Sequence, residues 1–225
     1  MAEAAAQLVS LPQPQPQPPT GRALWLAGIV RQRLWAGRYR PREWIRESAL
    51  RTEFGLSNGP VREALQLLVS EGLLERVPYC GIRVVALSDR ELVELFQLRL
   101  GLLELVAELA ARRGDPAALA RAGGVKEQVR RNLTADPRPA PGHLTDWMVE
   151  AAGNRELAAA WGRLAGRARL YVYESERRAG DARAMTAEAE ALVDAIVAGR
   201  AMQARKAVRA LTRLQIRDLG LDLLL

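Results

Sequence analysis

Two residue types on which much protein chemistry depends are nearly missing from this chain, which has one cysteine, Cys80, and one histidine, His143. A lone thiol excludes an intramolecular disulfide or a cysteine metal cluster, and nothing argues for an oxidising compartment. A lone imidazole, no glycine-rich loop after a strand and no clustered carboxylates leave acid-base, nucleophilic and metal-assisted catalysis without a constellation. The chain does not read as an enzyme. No run of about 20 apolar residues marks a membrane span. The start, MAEAAAQLVSLPQPQPQPPT, lacks the positive segment and sustained apolar core of a signal peptide. A cytoplasmic protein with no membrane partner is expected.

What is present is a chain of 225 residues, 49% of them hydrophobic, enough for one large domain or two small ones with a real core. The net charge of +7 favours a polyanionic partner. Its distribution narrows the choice. From Gly21 to Leu87 there are 11 arginines and 6 glutamates, so +5 of that excess lies in one stretch.

That stretch contains RESALRTEFGLSNGPVREALQLLVSEGLL, Arg46 to Leu74. Ile45, Leu50 and Phe54 form one apolar stripe, Gly55 ends the helix, and Ser57 offers a capping oxygen to a second helix carrying Val61, Leu65 and Leu68. Two amphipathic helices separated by so short a turn form a helix-turn-helix signature. An earlier helix is predicted over Leu24 to Ala36, with a connector from Arg38 to Trp44. Leu74 to Val77 and Ile82 to Ala86, separated by Pro78-Tyr79-Cys80-Gly81, read as a hairpin. Three helices and a two-stranded wing suit duplex DNA, because the second helix fits the major groove and the wing reaches flanking backbone.

Residues 1 to 20, ending in alternating Pro and Gln, read as a disordered arm. A winged helix-turn-helix domain over 21–87 would then be followed by an all-α domain over 88–225. Ser88-Asp89 caps a long helix to about Arg113. Further helices are predicted from about Pro116 to Leu133, His143 to Ala152, Glu156 to Arg178, Ala182 to Ala198 and Ala201 to Leu219. The apolar ending LGLDLLL is expected to be buried on the bundle or in a dimer interface.

The segment RESALRTEFGLSNGPVREALQLLVSEGLLERVPYCGIRVVALS resembles the DNA-binding domain of the GntR family, on its PVREAL core, its EGLL step and Gly81 together. LSDRELVELFQLRLGLLELVAELAA, VEAAGNREL and ALVDAIVAGRAMQARKAVRAL are similar to the linker and helical domain of the FadR-like branch. The resemblance implies a mainly α, homodimeric transcription regulator, more often a repressor. It would bind a short palindromic operator in double-stranded DNA and respond to a small organic effector.

Carried over position by position, the resemblance makes Arg62 the candidate base reader. Asn58 stands where the family usually has a guanine-reading Arg, and Gly59 where Thr is common. Asn58 would favour an adenine edge and hence an altered operator. Ser57 is expected to cap the recognition helix and to meet a phosphate through its backbone N–H. Arg38, Arg46 and Arg51 are candidate phosphate contacts. Gly81 is the wing glycine, preceded by Cys80 in place of a residue often basic or His, so the wing should add less affinity.

Many FadR-like domains hold a divalent metal with an Asp and three His. The matching positions here are Pro141, Thr145, Ala189 and Leu211, and His143 lies two residues off. No metal and no other cofactor is expected. Arg99, Arg167 and Arg169 are then the candidates to hold an acid by its carboxylate, with Tyr171 and Tyr173 as hydroxyl donors. Tyrosines two apart on a helix diverge, and Arg99 with Glu104 equally suits a structural pair. An apolar effector, or a filled core with none, also fits the substitutions. Asn58, Gly59 and Cys80 support an alternative reading, a helical sensor whose DNA-reading surface has decayed.

Overall fold

The computed structural model describes residues 20–134, 143–178 and 182–221, and these form two packed units. The arm expected over 1–20 lies outside the described residues except for Thr20, as do Pro141 and the last four residues of LGLDLLL.

Helix α1 (Arg22–Trp35) buries Leu26, Ala27, Val30 and Leu34 on one face. α2 (Glu47–Phe54) buries Leu50 and Phe54 and stops at Gly55, whose φ of 61° a side chain would disfavour. α3 (Asn58–Ser70) buries Val61, Ala64, Leu65 and Leu68. These faces meet in one core with Leu73, Leu74, Ile82 and Val84. Each fully buried leucine contributes about 1.5–3 kcal/mol. Trp25 meets Phe54 edge to face at 5.6 Å, and Arg33 Nη1 donates to Glu53 Oε2 at 2.9 Å, fastening α1 to the end of α2.

The sheet has one strand more than the sequence suggests. β1 (Trp44–Ile45) pairs with β3 (Gly81–Val84), which pairs in turn with β2 (Leu74–Val77), all antiparallel in the order β1-β3-β2. The end of the expected connector is thus a strand, too short for any periodicity to announce it. The second hairpin strand runs over 81–84 rather than 82–86.

α4 (Asp89–Arg113) starts in a capping box, with Ser88 and Glu91 exchanging side-chain and backbone hydrogen bonds. The single helix expected from Pro116 to Leu133 is two, α5 (Pro116–Leu119) and α6 (Ala122–Thr134), because the chain turns at Ala120-Arg121. α7 (His143–Ala152), α8 (Arg155–Arg178), α9 (Ala182–Val197) and α10 (Ala201–Asp218) follow. α4 runs through this bundle against α7, α8, α9 and α10.

Glu104, buried in α4, accepts from Arg209 Nε at 2.7 Å and Arg205 Nη2 at 3.1 Å, both on α10. The Arg99–Glu104 pairing considered from sequence is therefore replaced. Five residues turn a helix through about 500°, which leaves the two side chains on different faces.

Candidate DNA-reading face and ligand cavity

Asn58, Gly59 and Arg62 are exposed at the start of α3, and Gln66 continues the same face one turn on. Gln66 carries an amide suited to an adenine edge, and its i, i+4 spacing from Arg62 was the signal for it. Arg62 Nε donates to Glu47 Oε2 at 3.1 Å, across the turn between the helices. Ser57 occupies the N-cap position with extended backbone, yet its hydroxyl makes no capping hydrogen bond. The expected side-chain cap is thus not formed.

Arg46 is exposed at the N-cap of α2, and Arg38 is exposed just after α1. Arg51 is half-buried, and its Nε has no hydrogen-bond partner among the described residues. On the wing, Tyr79 is fully exposed at φ 62°, and Cys80 and Gly81 are exposed beside it. Arg76, exposed on β2, is a further cation that the sequence reading did not single out. Arg83 is engaged by Glu75 at 2.6 Å.

In the helical unit a cavity of about 80 Å³ lies between α4 and α6–α10. Thr145, Ala189 and Leu211, three of the positions matched to metal ligands, line it together, and so does His143. Among the described residues no three His, Cys, Asp or Glu gather to hold a metal ion. Arg99 reaches the cavity at 4% exposure, donating to Gln215 Oε1 at 2.9 Å between the rings of Phe96 and Trp161. Trp161, only 5% exposed, lines the same space, and its indole N–H has no hydrogen-bond partner among the described residues.

Arg169 also borders the cavity, whereas Arg167, Tyr171 and Tyr173 do not. The last three lie along the seam between the two units. The Tyr171 hydroxyl accepts the Leu87 N–H at 2.7 Å, and burial pushes its pKa above the ordinary phenol value. Tyr173 packs on Gly37, and the Arg167 stem lies against Gly72. Tyr171 is buried, and Tyr173 is half-buried against the DNA-reading unit. Trp35 Nε1 donates to Gly166 O at 3.1 Å, and the Arg169 guanidinium lies 4.7 Å from the Trp35 ring centre.

A helix-turn-helix with an antiparallel wing, backed by a helical bundle around a small cavity, defines a winged-helix protein with an appended all-α domain. The chain belongs to the gntR family of bacterial regulatory proteins, in the branch that carries an FCD domain. Residues 25–84 match the first and residues 94–214 the second. It is a family of regulators rather than enzymes.

Among relatives, the HTH-type transcriptional repressor GlaR of Escherichia coli (strain K12) is 38% identical over 78 residues, 35% of this chain and 36% of that protein. The uncharacterized HTH-type transcriptional regulator YdhC of Bacillus subtilis (strain 168) is 31% identical over 97 residues, 43% of each chain. The chain thus spans well under two thirds of these relatives. E. coli McbR/YncC shares the fold with a TM-score of 0.75 at 19% identity, over 89% of this chain and 98% of that one. A GntR regulator from Rhodococcus sp. RHA1 shares it at 0.74 and 20%, over 89% and 99%. Among the described residues no helix is long and apolar enough to cross a membrane.

Proposed function

We propose that this chain is a cytoplasmic, homodimeric, sequence-specific DNA-binding repressor whose helical domain takes a small organic acid without a metal. The observation that carries the DNA reading is one exposed face of α3 presenting Asn58, Arg62 and Gln66, with arginines on both flanks. Arg62 and the two amides read base edges, while Arg38, Arg46, Arg51, Arg76 and the Ser57 N–H meet phosphates. Similarity to repressors, among them the gluconate operon repressors of two Bacillus species, supports repression.

The dimer reading is supported by α4, where Leu98 and Leu105, 59% and 46% exposed, lie two turns apart with exposed Gly101 between them. A two-fold axis along that stripe would cover it and pair two reading heads for a palindrome. The effector reading is supported by Arg99 and the unpartnered Trp161 indole in one cavity. The cavity is compact and has room for a few water-sized groups, which suits a small acid.

Binding to a random-sequence DNA pool, with the selected sites retested at several salt concentrations and with Arg62→Ala, tests the main claim. A short palindrome lost on that substitution supports it. Weak, sequence-indifferent binding overturns it. That result would favour the decayed-reader alternative, for which the tether of Arg62 to Glu47 is the specific observation.

A further inference from the structure

We infer that Arg169 is a positioning residue, through which occupancy of the helical cavity controls the docking of the DNA-reading unit; this rests on the effector reading above. Arg169 is on α8, and it borders both the cavity and the cleft between α1 and α8. Two elements share its one guanidinium, and one nitrogen is left over. Nη2 donates to both carboxylate oxygens of Asp146 on α7. The cation lies over the ring of Trp35 on α1, 4.7 Å from its centre. Nε, buried, has no hydrogen-bond partner among the described residues, a cost that an acceptor arriving in the cavity would relieve.

Trp35 is the hinge of this arrangement. Its indole N–H donates to Gly166 O, less than one turn of α8 before Arg169, so one aromatic side chain from the DNA-reading unit is held on α8 by two contacts. A cation withdrawn from an aromatic face loses an attraction that desolvation makes larger. An anion that draws Arg169 inward therefore loosens Trp35, and the seam with it. The same seam holds the Leu87 N–H on the Tyr171 hydroxyl, where the wing leads into α4.

The coupling is differential, since the anion favours the guanidinium position that Trp35 does not. Arg99 lies in the same cavity and engages Gln215 on α10, between the rings of Phe96 and Trp161. Arg99 retains the ligand and Arg169 reports it.

The test needs no identified effector, because a carboxylate can be tethered in the cavity. Ala189→Glu places one there, and Ala189→Gln is its neutral isostere. Both are made in the full chain and combined with Arg169→Met and Arg169→Lys. Exchange of the Trp35 indole N–H and the Leu87 amide, read by NMR, reports seam opening, and operator affinity is measured alongside.

The carboxylate variant should exchange both protons faster than its glutamine control by roughly 5- to 150-fold, the usual span of allosteric coupling. Arg169→Met should abolish that difference, and Arg169→Lys, which keeps a cation for Trp35, should restore part of it. Equal exchange in the two Ala189 variants, or a difference that survives Arg169→Met, overturns the inference. If Ala189→Gln disrupts the bundle by circular dichroism, Leu211→Glu against Leu211→Gln makes the same comparison from another wall. Failure of every variant and of the parent to select a DNA site would count against the DNA reading alone, because exchange still decides the relay.

Discussion

The guanidinium of Arg62 is held by the carboxylate of Glu47, Nε to Oε2 at 3.1 Å, although 67% of the arginine side chain remains exposed. The base-reading candidate is thus oriented before DNA arrives, by an acid that DNA would repel. Arg62→Ala should cost about 1–3 kcal/mol of operator binding and relax preference at one base position. Glu47→Gln should instead raise affinity for random DNA, as a negative charge beside the phosphates is lost. Fluorescence anisotropy on selected and scrambled duplexes separates the two.

Arg46 and Arg76 touch no ion-pair partner among the described residues and are exposed. Replacing either with Gln should weaken binding evenly across sequences and lower the slope of log affinity against log salt by about 1. A loss confined to the selected site would move that arginine from phosphate to base contact.

Metal removal should do nothing. Dialysis against a chelator is expected to leave the melting temperature and operator affinity unchanged, because Thr145, Ala189 and Leu211 offer no imidazole or carboxylate. Thermal shifts produced by compact carboxylates such as lactate or malonate should disappear with Arg99→Met. That variant also leaves Gln215 without its donor, at about 1–3 kcal/mol. Trp161→Phe, which removes one buried N–H and no ion, should weaken the same ligands while keeping the fold.

The hydrogen bond from Arg33 holds the Glu53 carboxyl below its ordinary pKa of 4.5. A lowered folded-state pKa means that the stabilisation is present above about 4.5 and is lost as the pH falls through the folded value. The DNA-reading unit should therefore soften on acidification from pH 4.5 downward, and Glu53→Gln should flatten that part of the curve. Half the carboxylate is exposed, which keeps the effect within about 1 kcal/mol. Circular dichroism melts at stepped pH check it.

Leu98→Glu with Leu105→Glu should convert the proposed dimer to monomer in sedimentation experiments. Monomer melting should remain near the parent value, because neither side chain is part of the core. Operator affinity should fall steeply, as two half-sites no longer share one protein. Persistence of the dimer would place its interface elsewhere.

Much of this molecule is written locally in its sequence. Ser88-Asp89 announces the start of α4, Gly55 the end of α2, and the spacing of Val61, Leu65 and Leu68 the buried face of α3. What escaped was either too short or too distant. β1 is two residues long, and Ala120-Arg121 breaks a helix without glycine or proline. The seam joins Trp35 to Gly166, 131 positions apart, and no periodicity connects them. Of the five residues first considered for the effector, two line the cavity and three lie on the seam, since placement on α8 alone does not say which neighbour covers which face.

α4 is one unbroken helix of 25 residues, about 37 Å long, that begins where the wing ends. Its consecutive residues Leu98 and Arg99 face outward to the proposed partner and inward to the cavity. A twist of this rod by a few degrees, too small to disturb its own packing, would be felt at both ends of a paired assembly as an error of phase. In the proposed dimer, two reading heads set to the period of the duplex would tolerate little of that, and a small ligand would gain leverage far beyond its size.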